Sequence, residues 1–198
     1  MARITVNETG TNPMILISTA IANATAANLA NGAIDSTAAD TLSVGCLQDV
    51  TITASTGVFS WTDFCSTDTN KIPTPADNEV ATNIVIDNTK YFGSGSGTAG
   101  AAANVGIASL SQNKTKVQFL VVWNSNGSSP ASATANVAAL LTNTTRNTVA
   151  TPDEPIYWSS GVGYVTNLAP TVSPDAPVWV SPMTIAVDGT LYNGFNNT

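Results

Sequence analysis

Histidine is absent from the 198 residues, and charge is scarce, with thirteen acids and six bases making up 10% of the chain. The first absence removes the commonest general acid–base residue and the commonest metal ligand. A serine nucleophile therefore has no imidazole to activate it, and two cysteines without histidine do not complete a zinc site. The second absence bears on partners: a net charge of -7 is the wrong sign for a protein that grips phosphates, although not for one that lets nucleic acid pass. Long apolar runs are also missing. Met14 to Ile17 is strand-sized, and nothing approaches a membrane span. The opening Met1-Ala2-Arg3-Ile4-Thr5-Val6-Asn7-Glu8 lacks the basic run and apolar core of a signal peptide, so the expectation is a cytoplasmic product whose Cys46 and Cys65 are reduced, buried thiols beside Leu47 and Phe64.

Thr, Asn, Ser, Ala and Gly fill the space that charges leave. Hydrophobic residues reach 43%, enough for one sizeable core in a chain of this length without disulfide or cofactor. Hydroxyl and amide side chains are what a large protein–protein contact tolerates, because charges are costly to desolvate. The composition thus points to a self-assembling building block and away from an enzyme. Charge is also segregated. Residues 1–87 hold nine acids and two bases, 88–152 hold four bases (Lys90, Lys114, Lys116, Arg146) and no acid, and 153–198 hold four acids. Such blocks suit head-to-tail contact between identical subunits.

Period-two alternation dominates the pattern. Asp49 to Ser55 sets Val50, Ile52 and Ala54 on one face and Asp49, Thr51, Thr53 and Ser55 on the other, a strand with one wet side. With Gly57 as the turn, Phe59 to Phe64 reads as the returning arm of a hairpin over residues 49–64. Asn83 to Asp87 reads as a further strand, with a loop over residues 64–82. Lys116 to Trp123 is apolar on both sides and predicts a central, doubly covered strand. Asp188-Gly189 suits a type I′ turn joining 184–187 to 190–192. Helical signals are few: Ser132 to Thr142 after Pro130, and more weakly Ala20 to Ala33. Residues 93–106 read as a Gly-rich flexible loop, and the prolines of residues 151–182 as an extended surface segment or edge strands. The whole is one mainly β domain.

Gly95-Ser96-Gly97-Thr98-Ala99-Gly100 matches G-x-G-x-x-G, yet that fingerprint requires a full helix next and an acid about twenty residues on, and no acid lies between Asp87 and Asp153. Asp77-Asn78-Glu79 and Asp153-Glu154 fall in no recognised ligand spacing and read as solvated acids. Trp61, Trp123, Trp158 and Trp179 with Tyr157, Tyr164 and Tyr192 suit core or interface anchors better than sugar stacking. No cofactor is called for.

The run Leu42-Ser43-Val44-Gly45-Cys46-Leu47-Gln48-Asp49-Val50-Thr51-Ile52-Thr53, followed by Lys71-Ile72-Pro73-Thr74-Pro75, Asn83-Ile84-Val85-Ile86-Asp87 and Tyr91-Phe92-Gly93, resembles the major tail (tail tube) proteins of tailed bacteriophages over residues 42–125. The resemblance implies a two-sheet β-sandwich or barrel-forming domain with one short flanking helix and extended loops. It also implies homo-oligomeric hexameric rings, stacked with other virion tail proteins into a tube assembled in the host bacterial cytoplasm, through which DNA passes without sequence recognition. On that reading Asp49, Thr51, Thr53, Ser55, Ser60, Thr62 and Asp87 line the lumen. A capsid decoration (cement) protein and a carbohydrate-binding β-sandwich module are the alternative readings of the same surface.

Overall fold

A computed structural model describes residues 13–34, 41–44, 47–62, 68–95, 99–123, 156–172 and 178–196. Its elements are β1 (Met14–Ser18), α1 (Ala26–Ala30), β2 (Thr41–Val44), β3 (Leu47–Trp61), β4 (Asn70–Val85), α2 (Asn88–Phe92), α3 (Ala102–Gln112), β5 (Lys116–Val122), β6 (Ile156–Thr166), β7 (Val180–Val187) and β8 (Tyr192–Asn196). The protein is mainly β, as its alternation predicts. All eight strands belong to one antiparallel sheet in the order β2-β1-β5-β6-β7-β4-β3, with β8 also on β6. The sheet forks at β6, whose first half pairs β8 from Ile156 to Ser160 and whose second half pairs β7 from Gly163 to Thr166.

The two ends of this strand order, β2 and β3, are separated by only two residues of chain. Three peptide steps span at most about 11 Å, so the sheet must bend until its edges approach. The apolar side of that bend holds one core. Leu42 and Val44 from β2, Val80 and Ile84 from β4, and Val117, Phe119 and Val121 from β5 all belong to it, capped by Tyr91, Ala102, Ile107 and Leu110 from the helices. Phe119, completely buried, sits on the doubly covered strand expected at Lys116 to Trp123. The opposite side of β1, β5 and β6 carries a second cluster, Leu16, Leu120, Val122 and Trp158, covered by Ile34 from the segment after α1. One sheet folded over its own core replaces the two sheets of the expectation.

Several local expectations are corrected. Gly57 makes no turn. β3 runs straight through it as a 15-residue strand, and Gly57 lies across from Thr74 and Pro75 in a bulge of β4 between the Thr56↔Ala76 and Val58↔Pro73 pairs. The hairpin is therefore β3 with β4, and most of the supposed loop at 64–82 is strand. Asp188-Gly189 does not join a hairpin, because β8 pairs β6 and not β7. The weak helix at 20–33 is a single 3-10 turn at Ile21–Asn23 followed by α1, started by the Thr25 hydroxyl accepting from Asn28 N–H. The Gly-rich stretch gives way to α3 at Ala102, so a helix does follow the G-x-G-x-x-G match. Within the proline-studded span expected as an extended surface segment or edge strands, the proline-free residues 156–166 form the interior strand β6, and Pro182 lies inside β7, which is paired on both sides. The candidate helix at 132–142, Cys46 and Cys65 lie outside the described residues.

α3 kinks at Gly106, whose φ of 74° lies in the left-handed region. A methyl group there would overlap the Gly93 backbone nitrogen and the Phe92 carbonyl carbon, where α2 and α3 touch. Both the backbone strain and the collision act against any side chain. Gly106→Ala is therefore expected to lower unfolding free energy by about 2 kcal/mol or more, measured as a shift of the urea midpoint, whereas Gly95→Ala, with φ of 63° but open space around it, is expected to lose less.

Candidate assembly interface

Strand alternation sorts the side chains of β3 and β4 onto two faces. Val50, Ile52, Val80, Thr82 and Ile84 point to the core, and Asp49, Thr51, Thr53 and Ser55 point away, opposite Asn83, Ala81, Glu79 and Asp77. β7 continues the outward face with Pro182, Thr184 and Ala186. This surface offers hydroxyls, one amide and three carboxylates, with no Lys or Arg among those positions. Asp49 is held in place by Asn83, accepting from its backbone N–H at 2.7 Å and from its side-chain Nδ2 at 2.8 Å.

Four of the seven residues expected to share a wet face do so: Asp49, Thr51, Thr53 and Ser55. Because β3 does not turn at Gly57, its alternation carries on and Ser60 falls on the opposite side, while Thr62 lies beyond the end of β3. Asp87 lies beyond the end of β4. Its carboxylate starts α2, accepting from the Thr89 hydroxyl at 2.7 Å, from Thr89 N–H at 2.9 Å and from Lys90 N–H at 3.1 Å. The Thr89 hydroxyl bond, then the Lys90 N–H, hold its pKa below the ordinary 3.8.

Past the Glu79↔Ala186 pair β4 loses its neighbour β7, and among the described residues β3 with β4 continues as a two-stranded ribbon to Trp61↔Asn70. This two-stranded arm reaches about 20 Å beyond the sheet at the ordinary strand rise. It has no core of its own. Phe59 (60% exposed), Val58, Ile72 and Trp61 are all solvent-accessible. Phe59 and Trp61 stack with ring centroids 5.9 Å apart, on the same side as the cross-strand neighbour Ile72. A lone two-stranded ribbon is marginal in water, and an aromatic cluster of this kind marks a contact surface. Among the described residues no strand pairs the outer edge of β3 along its 15 residues, and such an edge offers backbone donors and acceptors to another chain. The arm escaped the sequence reading because Pro73 and Pro75 resemble loop residues; an alternating Glu79 to Ile84 was the available signal for a longer β4.

Among the described residues no cluster of three metal-ligating side chains occurs, and no helix is long and apolar enough to cross a membrane. No family model matches the chain, and no curated protein matches it. Among solved structures, it is similar to a chain from the tail of an empty GTA particle computed with helical refinement in C6 symmetry, at 9% identity and TM-score 0.46, covering 78% of this chain and 86% of that one. It is also similar to a sheath/tube terminator of an extracellular contractile injection system in its extended state, at 8% identity and TM-score 0.40, covering 98% of this chain and all of the other.

The Asp87 cap gives a pH test. Its carboxylate is stabilised in the folded state, so the contribution is complete well above pH 3.8 and is lost as pH falls below 3.8 through the depressed folded value. Asp87→Ala is expected to destabilise the protein by about 1 kcal/mol at neutral pH, and the gap to the unsubstituted protein should narrow in acid, as followed by denaturation at pH 7 and pH 3.

Proposed function

We propose that this chain is a structural subunit of a virus-like tail tube, closing with copies of itself into hexameric rings that stack into a channel for DNA. The observation that carries the reading is the β3–β4 arm: a wet, acid-and-hydroxyl face running into a projecting ribbon with an unpaired edge and exposed aromatics. Pairing the open edge of β3 with a neighbouring copy would satisfy its backbone groups and bury Phe59, Trp61 and Ile72. Repeated around a ring, the same pairing leaves no edge. The resemblance of residues 42–125 to tail tube proteins supports the same use.

In this arrangement Asp49, Thr51, Thr53 and Ser55 face the bore, joined by Asp77 and Glu79. Duplex DNA carries a negative charge roughly every 1.7 Å, so a cationic wall would hold it, whereas short neutral and acidic side chains repel it mildly and let it slide. No step of this requires a cofactor or a reacting group; the subunit works by shape and by the sign of its surface.

Electron microscopy of the purified full chain tests the reading. Stacked rings with a central bore are expected, and a stable monomer or small oligomers of the kind a capsid decoration protein forms would overturn it. Phe59→Ser with Trp61→Ser should change monomer stability by no more than about 0.5 kcal/mol, since both rings are exposed, while abolishing rings on the same grids. Thr51→Lys with Thr53→Lys should fold and assemble yet retain DNA, seen as slowed genome release from assembled particles; unaltered release would remove these residues from the bore.

A further inference from the structure

Trp158, buried on β6, stands where two elements far apart in sequence meet. α1 lies against both β6 and β8. A methyl group on Gly32, just past α1, would overlap Nε1, Cδ1 and Cε2 of the indole, and one on Gly194, in β8, would overlap Cζ2, Cε2 and Cη2. Glycine at both places lets a single ring pack directly on the backbone of each element. A ring in such close contact with both passes a displacement of one on to the other.

Ser160, two residues on and on the same face, makes a second link. Its backbone pairs with Tyr192 of β8, and its hydroxyl donates to the Leu29 carbonyl at 2.5 Å. From β5, the Gln118 side-chain Nε2 donates to the Ala33 carbonyl at 2.7 Å. Sheet side chains thus satisfy carbonyls at and beyond the end of α1, a five-residue helix too short to persist in water alone. β8 is equally short and, among the described residues, pairs only β6, with the Ser159 hydroxyl donating to Asn193 Oδ1 at 2.5 Å. The chain before it is fixed to the body. Asp188 N–H donates to the Val162 carbonyl at 2.7 Å, the Asp188 carboxylate pairs with Lys116 at 2.7 Å, and Leu191 packs on the main core.

We infer that residues 26–34 and β8 form one flap, latched by Trp158, whose two parts open from the body together while the wrapped sheet stays closed. Each part is held by few groups: Leu29, Ala33 and Ile34 are the buried side chains of the first, and a single ladder holds the second. Elements with so little burial are where a fold gives way locally, below the cost of global unfolding. Opening uncovers Leu16, Leu120 and Val122, which Ile34 covers, together with the edge of β6 from Ile156 to Ser160. β7 keeps β4 on one side and the second half of β6 on the other, so the main core is not disturbed. The flap belongs to the folded subunit, whether or not that subunit assembles into a tube.

Hydrogen exchange of the purified full chain, read by mass spectrometry on peptides covering 26–34, 117–122 and 192–196, tests the flap. The first and last segments are expected to share one denaturant dependence and to exchange at least about tenfold faster than 117–122. Two substitutions probe the latch from opposite sides: Gly194→Ala changes β8, and Ser160→Ala removes the hydroxyl that holds Leu29. Each should speed exchange in both flap segments by a similar factor while changing 117–122 by less than about twofold. If Gly194→Ala does not fold, Trp158→Phe, which keeps an aromatic ring but shortens it, takes its place with the same expectation. The latch is overturned by Gly194→Ala or Trp158→Phe speeding 192–196 alone, or by Ser160→Ala speeding 26–34 alone. Different denaturant dependences for the two segments, or exchange in both as slow as in 117–122, would overturn it as well.

Discussion

The link between β2 and β3 governs the architecture. Two strands at opposite ends of the sheet order are joined by two residues, so the sheet has to wrap, and the wrap is stable because its inner side is mostly apolar. Phe119, Ile15, Ile17, Met183 and Ile185 fill that interior with side chains fully or almost fully removed from water. The same constraint decides what remains outside. β3 starts within the wrapped body at Leu47 but is 15 residues long, more than the sheet beside it can cover. The surplus becomes the arm.

The body of the protein was legible in its sequence and the arm was not, for a physical reason. Alternation and doubly apolar runs report burial, and burial is what places Val50, Ile52, Ile84 and the segment 116–122 correctly. Beyond Thr56 neither strand of the arm is buried on either face, so no inward–outward contrast exists for a pattern to express. Gly57 then reads as a turn when it is the residue opposite a bulge, and Pro73 and Pro75 read as breakers although an arm strand without a third neighbour accommodates them. The error at Gly57 propagates: one imagined turn inverts the parity that follows, and Ser60 falls on the face opposite Asp49, Thr51, Thr53 and Ser55. α3 was hidden differently, since its start in Ala101 and Ala102 and its kink at Gly106 share the small-residue composition of the loop before it.

Scarcity of charge and unpaired backbone edges belong to the same problem. A monomer that leaves a long strand edge and stacked aromatics in water courts indiscriminate association. Many proteins guard such edges with lysines. Here β3 carries no lysine at all, and the nearest arm cation is Lys71 on β4. The edge is therefore unguarded against pairing, which suits the proposed tube, where pairing would be the intended state and a cationic guard would face the polyanion.

What then prevents the wrong partner from adding to that edge is the distribution of the few charges present. Backbone pairing and aromatic burial are permissive: they favour any extended strand, in several registers. Charge at defined positions is restrictive, because a misplaced carboxylate facing another carboxylate is penalised more than a correct pair is rewarded. Lys116 is consumed by Asp188 within the subunit, Asp49 is tied down by Asn83, and Asp87 caps a helix. Internal commitments of this kind leave few charges without an ion pair among the described residues, Asp77, Glu79 and Lys71 on β4 and Lys114 at the end of α3 among them. A subunit with abundant charge would have many approximate matches; a subunit with this few has its register set by the ones left over.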